Sequence, residues 1–224
     1  MRTHSEQWSA VDDYIAGLLV GKDAALENAL KTSVAAALPP IHVAPNQGKF
    51  LHLLARMHGA KNILEVGTLG GYSTIWLARA LPTGGRLVTL ESDAKHAEVA
   101  CRNIASAGMA EKVTLREGPA AETMQRLIDA KQEPFDFIFI DADKEGYPDY
   151  FRLSLQLSRA GTCIVADNII REGGVIDAKH PDTRVQGVRR FLEMVAAEPR
   201  VSATAIQTVG DKGYDGFAIA LVIS

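Results

Sequence analysis

The stretch "ILEVGTLGGYSTIWLARAL" (residues 63–81) joins a strand signal, a glycine loop and a helix signal. An apolar run passes through Glu65, the glycines Gly67, Gly70 and Gly71 follow, and apolar residues then recur at helical spacing. This order is typical of α/β proteins that bind a nucleotide beyond the carboxyl ends of their strands. The stretch therefore predicts a nucleotide site at this loop.

The chain around this stretch repeats the same alternation. From residue 62, short apolar runs alternate with helical stretches through five strand–helix units, ending at "GTCIVADN" (161–168). Such spacing predicts a parallel sheet covered by helices on both faces. Two further runs, 201–209 and 216–224, are joined by a link too short for a crossover helix and should pair antiparallel. We predict an α/β fold with a doubly wound, mostly parallel seven-stranded sheet and an antiparallel last strand.

The first 58 residues predict a helical addition before the sheet. Their alanine- and leucine-rich pattern is broken near Gly21 and again at Pro39-Pro40, and a further helix should stop at Gly59. Linkers, repeats and low-complexity tracts are absent from the sequence. We therefore predict a single domain spanning residues 1–224, of which 1–58 form the N-terminal addition.

The composition bounds the location and the partners. The 224 residues include 24 basic and 27 acidic ones, a net charge of −3, without a basic tract that would attract nucleic acid or an anionic membrane. Apolar runs fall short of the ~20 residues of a membrane span, and the N-terminus does not resemble a signal peptide. Cys101 and Cys163 are predicted to be buried free thiols. The sequence predicts a cytoplasmic protein that binds neither nucleic acid nor membrane.

The residues around the glycine loop indicate which nucleotide fits. A dinucleotide fingerprint needs glycine where this chain has Leu69, and Glu65 would place a negative charge beside a pyrophosphate. An acid there suits a cationic group, and Glu91, at the end of the second strand, could accept hydrogen bonds from a ribose. A ribose with a cationic group describes S-adenosylmethionine. The alternative is that Glu65 caps a helix and Glu91 is an ordinary surface acid.

Acidic residues end two later strands. "FDFIFIDADK" ends in Asp141, Asp143 and Lys144, and "TCIVADN" ends in Asp167 and Asn168. If these strands are neighbours, their ends lie about 5 Å apart. Two carboxylates and an amide are hard oxygen ligands, suited to Mg²⁺, Mn²⁺ or Ca²⁺. The alternative is that these residues only mark turns at strand ends.

The motifs "LEVGTLGGYSTIWLA", "GPAAETM", "FDFIFIDADKEGYPDYF" and "IVADNII" resemble those of metal-dependent S-adenosylmethionine O-methyltransferases of the caffeoyl-CoA and catechol type. The resemblance covers roughly residues 40–224. It implies a Rossmann-like class I methyltransferase fold, a homodimer, and methyl transfer to a hydroxyl of a catechol-like small molecule. The segment after the second acidic strand, "IIREGGVIDAKHPD", departs from the plant pattern, so a caffeoyl-CoA substrate is not implied.

The resemblance also implies a set of site residues. Ser73 would bind the carboxylate of S-adenosylmethionine, Glu91 its ribose and Asp141 its ammonium group. Asp141 and Lys144 would be catalytic, with Lys144 as general base, although Lys144 could instead be a solvated lysine at a helix start. The implied metal ligands are Asp141, Asp167 and Asn168. The implied cofactor-binding residues are Val43, Glu65, Gly67, Thr68, Ser73, Glu91, Ala120 and Asp141.

Several residues near these motifs have open roles. Tyr147 and Tyr150 could flank an aromatic acceptor or pack against the sheet. Asp215 is expected in a loop near the last strands, and His42 lies close to the predicted pocket. Their sequence pattern does not decide among these readings.

Other functions stay open at this stage. An NAD-linked oxidoreductase is disfavoured by Leu69 and Glu65. A non-catalytic S-adenosylmethionine-binding protein is disfavoured by the acids and the lysine at the strand ends, which a sensor does not need. A nucleic-acid methyltransferase is disfavoured by the acidic charge balance.

Overall fold

The computed structural model describes residues 3–224, and its centre is a seven-stranded sheet in the order β3-β2-β1-β4-β5-β7-β6. Strands β1 to β5 pair in parallel, and β7 runs antiparallel to β5 and to β6. The predicted fold class is confirmed. The strands are β1 (Asn62–Val66), β2 (Arg86–Glu91), β3 (Val113–Glu117), β4 (Phe137–Ile140), β5 (Cys163–Asp167), β6 (Val201–Gly210) and β7 (Gly213–Val222).

Helices precede the sheet and cover its faces. The predicted break and stop signals are confirmed, since Gly21 follows a π-helical turn (Ala16–Val20) and Gly59 ends a helix with a left-handed φ of 70°. A short 3₁₀ helix covers Lys144–Gly146, and Arg171–Ile176 contains 3₁₀ turns interrupted by left-handed residues at Glu172 and Gly173. The α-helices are α1 (His4–Ile15), α2 (Ala24–Ala35), α3 (Pro45–His58), α4 (Tyr72–Ala80), α5 (Ala94–Ser106), α6 (Ala120–Asp129), α7 (Tyr147–Gln156) and α8 (Thr183–Ala197).

The central strands β4 and β5 are buried along their whole length, because helices pack on both faces of the sheet. Successive side chains enter opposite cores. Ile138 packs with residues of α6, α7 and α8, whereas Phe137 packs with residues of α3, α4 and α5. Burial on both faces explains why these strands are continuous apolar runs in the sequence.

The strand order reverses at β1, which lies between β2 and β4. A crevice for ligands is expected at such a switch point, beyond the carboxyl ends of the strands. The N-terminal helix α2 is fixed beside this crevice. Asn103 of α5 donates a 2.8 Å hydrogen bond to the Gly70 carbonyl and accepts one of 2.5 Å from Thr32 of α2.

Two local expectations are wrong. Strand β6 continues to Gly210 and β7 already begins at Gly213, so Asp215 lies within β7 and not in a loop. Cys101 is exposed on α5, whereas Cys163 is a buried free thiol as expected. Within residues 3–224, the helices are too short or too polar to span a membrane.

Candidate active site

The glycine loop lies against the end of β4. The φ of Gly67 is +100°, and a Cβ atom there would lie 2.0 Å from the carbonyl oxygen of Asp141. The two segments are also joined by a 2.8 Å hydrogen bond from the Asp141 amide to the Val66 carbonyl. Glycine is therefore required at this position by the protein's own backbone, before any ligand is considered.

Glu65 is completely buried beneath the loop. Its carboxylate accepts hydrogen bonds from the hydroxyls of Ser73 (2.6 Å), Thr74 (2.5 Å) and Thr89 (2.7 Å). Burial raises the pKa of Glu65 to about 7, although these three hydrogen bonds oppose the shift. Because its partners are side-chain hydroxyls and not backbone amides, Glu65 does not act as a helix cap, and that alternative is wrong.

The hydroxyls of Thr68 and Ser73 are both engaged inside the protein. The Thr68 hydroxyl lies 2.6 Å from that of Thr89 and 3.1 Å from the Leu90 carbonyl oxygen. The single hydroxyl proton of Ser73 is donated to Glu65. A ligand that accepts a hydrogen bond from the Thr68 hydroxyl would have to displace one of these internal bonds.

Glu91 joins the glycine loop to the segment after β2. One carboxylate oxygen accepts from the amides of Thr68 (3.2 Å) and Leu69 (2.8 Å), and the other accepts from those of Ser92 (2.9 Å) and Asp93 (3.0 Å). The residue is only 8% exposed. The reading of Glu91 as an ordinary surface acid is therefore wrong.

Ala120 lies close to this acid along the sheet edge. Glu117, the last residue of β3, pairs with Glu91 in register, and the Gly118 amide donates a 2.8 Å hydrogen bond to the Glu91 carbonyl. Ala120 then begins α6 and is half-buried. Glu91 and Ala120, both expected to bind the cofactor, thus come from the ends of neighbouring strands.

The two acidic strand ends are neighbours. Ile140 of β4 pairs in register with Ala166 of β5, and the next residues are Asp141 and Asp167. Burial, together with the negative charge of Asp141, raises the pKa of Asp167 to about 7. Asn168 follows with a φ of +55°, a conformation that asparagine tolerates better than most residues.

The donor set at these strand ends is compatible with a hard divalent cation. Two carboxylates and an amide supply oxygen ligands and two formal negative charges. A group of three or more His, Cys, Asp or Glu residues suited to a metal ion is not found between residues 3 and 224. A third protein ligand at this site would therefore come from the side-chain amide of Asn168.

Lys144 lies buried beside the same strand ends. Its Nζ donates to Asp141 Oδ1 at 2.9 Å and to the hydroxyl of Tyr147 at 2.7 Å, and its side chain is 9% exposed. The reading of Lys144 as a solvated lysine is wrong. Its ammonium group instead belongs to the acidic cluster.

Tyr147 ties the two strand ends together. Its hydroxyl lies 3.1 Å from the Ile140 carbonyl oxygen and 2.9 Å from that of Asp167, and it accepts from Lys144. Tyr147 is fully buried, and Tyr150 is nearly so and donates to Asp143. Of the two readings, packing against the sheet therefore describes both tyrosines.

Gln47 is a site residue that the sequence reasoning did not select. Its Nε2 donates a 2.6 Å hydrogen bond to Asp167 Oδ2 from the first turns of α3. The family resemblance implied a cofactor contact for Val43, which is 5% exposed and shares the motif "HVAPNQG" with Gln47. Which face of α3 meets β5 depends on packing that the motif does not encode.

Two cavities open beside Asp167 and Asn168. The larger has a volume of about 620 Å³ and is lined by Val43 and His42 among others, and the smaller has about 260 Å³. Both include Gln47, Asp167 and Asn168 in their walls. Space for a small molecule therefore adjoins the acidic end of β5.

Asp215 organises the wall of these cavities. Its Oδ1 accepts from the amides of Ile170 (2.9 Å), Arg171 (3.1 Å) and Gly216 (2.9 Å). Asp215 thereby holds the backbone of the segment that follows Asn168. Its role is to position the loop after β5.

Comparisons with known proteins find similar sequences over nearly the whole chain. A family model described as O-methyltransferase matches residues 19–220. A catechol O-methyltransferase from Niastella koreensis is 52% identical over 219 residues, covering 98% of this chain and 99% of that protein.

Solved structures of similar proteins have the same fold. A Bacillus cereus O-methyltransferase in complex with SAH is 58% identical, with a TM-score of 0.96 over 97% of this chain and 99% of the other. An O-methyltransferase of tomaymycin synthesis from Streptomyces achromogenes, in complex with SAM, is 49% identical, with a TM-score of 0.96 over 100% of both chains.

Proposed function

Because this chain belongs to the O-methyltransferase family, we propose that it transfers a methyl group from S-adenosylmethionine to one hydroxyl of a catechol-like small molecule, with a divalent cation. One observation carries the proposal. Asp141 and Asp167 end adjoining strands, and Lys144 Nζ lies 2.9 Å from Asp141. This arrangement combines ligands for a hard cation, among which Asp167 lines a cavity, with the basic nitrogen of Lys144.

S-adenosylmethionine is the methyl donor, and its proposed binding site (the donor site) comprises the loop and strand ends around Glu65 and Glu91. The buried carboxylate of Glu65 favours a nearby positive charge, as a sulfonium or ammonium group would supply. Complexes of similar proteins with SAM and SAH support this choice of donor. Since Ser73 donates its proton to Glu65, binding the donor's carboxylate through Ser73 would require this hydroxyl to exchange partners. The remaining proposed donor contacts are Val43, Gly67, Thr68, Ala120 and Asp141.

The proposed cation ligands are Asp141, Asp167 and Asn168, for Mg²⁺, Mn²⁺ or Ca²⁺. A phenol has a pKa near 10, and a divalent cation held by these residues would supply Lewis acidity that favours the phenolate of a vicinal diol. The side chain of Gln47 and the backbone N–H of Asn168 each donate a hydrogen bond to Asp167, and together they orient its two carboxylate oxygens.

Lys144 is the proposed general base. In its neutral form Nζ would accept the proton of the acceptor hydroxyl while the methyl carbon–sulfur bond breaks and the carbon–oxygen bond forms. Asp141 and Tyr147 hold this nitrogen from two sides at 2.9 and 2.7 Å. Burial among fixed partners limits the positions that Nζ can take.

An NAD-linked oxidoreductase receives no support from the loop. The Thr68 and Leu69 amides, which a pyrophosphate would need, donate to Glu91 instead. The alternative is a non-catalytic S-adenosylmethionine-binding protein, and the following experiment distinguishes it from a methyltransferase. The homodimer and the cytoplasmic location stay predictions.

The proposal is tested by incubating the protein with methyl-labelled S-adenosylmethionine and either catechol or resorcinol, with and without EDTA. We expect methylation of catechol, loss of turnover with EDTA, and recovery with excess Mg²⁺. Resorcinol should react poorly, because its oxygens are not vicinal. Turnover that is insensitive to the chelator would contradict the metal role, and donor binding without methylation of any catechol would favour the sensor.

A further inference from the structure

Arg171 is a charged residue whose guanidinium is weakly paired within the protein. Its side chain is 24% exposed, yet its Nε is inaccessible and has no hydrogen-bond partner among residues 3–224. Its ion pair with Asp215 is long, with 3.7 Å between Nη1 and Oδ2. A guanidinium keeps its charge and carries five N–H donors, so a largely buried one normally forms several hydrogen bonds.

The backbone around Arg171 is held in an uncommon conformation. Arg171 and Glu172 have φ values of +54° and +55°, and Gly173 follows at +83°. The Arg171 amide is anchored by Asp215 Oδ1 at 3.1 Å. The protein thus fixes the place from which this side chain extends while leaving its guanidinium weakly paired.

Arg171 lines the larger cavity, together with Asp167 and Asn168. The acids of this cavity have partners or face water. Asp182 pairs with Arg184 at 2.6 Å, Asp167 accepts from Gln47, Asp215 accepts from backbone amides, and Glu172 is exposed.

A second cation of the cavity, Lys212, has neutral hydrogen-bond partners. Lys212 Nζ lies 3.2 Å from the Pro40 carbonyl oxygen and 3.2 Å from Nδ1 of His42. Burial and the charge of Lys212 lower the pKa of His42, which keeps that ring neutral. Among the arginines and lysines that line the cavity, Arg171 and Lys212 are therefore the two without a carboxylate at hydrogen-bonding distance.

We propose that the methyl acceptor carries a carboxylate, and that Arg171 binds this group while the vicinal hydroxyls face Asp167 and Asn168. The inference rests on the proposed function and names its substrate class. A planar carboxylate matches the paired donors of a guanidinium, which a lysine cannot reproduce. The cavity of about 620 Å³ suits a single substituted ring.

The test compares 3,4-dihydroxybenzoate with its neutral amide, 3,4-dihydroxybenzamide, through the ratio of their kcat/KM values. We expect the parent to prefer the acid by on the order of tenfold, the equivalent of one charge-assisted hydrogen bond. R171Q should abolish this preference and R171K should retain only part of it. R184Q is the matched control, since Arg184 lines the same cavity but is paired with Asp182, and it should keep the parental ratio.

Two results would overturn the inference: a parent that does not prefer the acid, or an R171Q variant that keeps the preference. Should R171Q fail to fold, inhibition of catechol turnover in the parent decides, with benzoate expected to compete at least tenfold better than benzamide. Preference for 4-phosphocatechol over the acid would assign the site to phosphate and reject a carboxylate. Unsubstituted catechol separates the two proposals, because its methylation upholds the proposed function even if the carboxylate inference fails.

Discussion

Replacing Gly67 with alanine tests how the glycine loop and the β4 end depend on each other. The new Cβ would lie 2.0 Å from the Asp141 carbonyl oxygen, so the two segments must separate by roughly 1.4 Å to reach an ordinary 3.4 Å contact. That movement would strain the 2.8 Å hydrogen bond between Asp141 and Val66. Because β4 lies between β1 and β5, it would also displace Asp141 relative to Asp167.

The expected loss of unfolding free energy in Gly67→Ala has two parts. A positive φ costs an alanine about 1–2 kcal/mol, and overpacking against fixed backbone costs about 1–3 kcal/mol more. We therefore expect Gly67→Ala to lower the free energy of unfolding by about 2–5 kcal/mol. Gly84→Ala is the matched control, because its φ is +78° but a Cβ there would meet nothing within 4 Å among the described residues. It should lose only the first part.

Urea unfolding followed by circular dichroism measures both variants against the parent. Equal m-values would show that the comparison concerns the native state. The reasoning would be refuted if Gly67→Ala were no less stable than Gly84→Ala. The same would hold if the Gly67 variant bound S-adenosylmethionine and turned over catechol as the parent does.

Three further substitutions test individual contacts. Tyr147→Phe removes the 2.7 Å partner of Lys144 and a donor to the Asp167 carbonyl; we expect a loss of about 1–3 kcal/mol in unfolding free energy and a lower kcat with unchanged donor affinity, and a variant equal to the parent would reject this role. Glu91→Gln replaces an oxygen that accepts two amides with an NH₂ group, so calorimetry should show donor affinity weakened on the order of tenfold, and an unchanged Kd would remove Glu91 from the donor site. Burial raises the folded-state pKa of Glu65 to about 7 from its ordinary 4.5. The folded protein therefore keeps this proton to a higher pH than the unfolded chain does, and the parent loses stability as the pH rises from 4.5 to 7. Glu65→Gln lacks that loss, so thermal unfolding should show the difference between variant and parent changing across this range and constant above it; a difference independent of pH would contradict the shift.

The sheet was predictable because burial on both faces of β4 and β5 leaves continuous apolar runs that end abruptly in acids. The meeting of Asp141 and Asp167 follows from the same pattern, provided that the strands are neighbours. The end of the last hairpin was less predictable. The glycines of "GDKGYDG" suggest a long loop, but pairing with β6 extends the strand through Asp215. Tertiary pairing here overrides local propensity.

Residues that act through packing left no readable signal in the sequence. The contact of Gln47 with Asp167 depends on which face of α3 meets the sheet. Tyr147 lies in α7, where a tyrosine that packs against the sheet and one that flanks a substrate would have the same spacing in the sequence. The requirement for Gly67 arises from Asp141, which is distant in the chain and comes close only because β4 lies next to β1.

The direct measurement of the central claim is Mn²⁺ binding, followed by the loss of the free-ion electron paramagnetic resonance signal, without donor or acceptor. We expect one Mn²⁺ per chain, displaced by Mg²⁺, and binding lost in Asp167→Asn. Asp149→Asn should bind as the parent does, because Asp149 is an exposed acid paired with Arg152 on α7. A parent that binds no Mn²⁺, or an Asp167→Asn variant that binds it equally well, would contradict a cation site at the two strand ends.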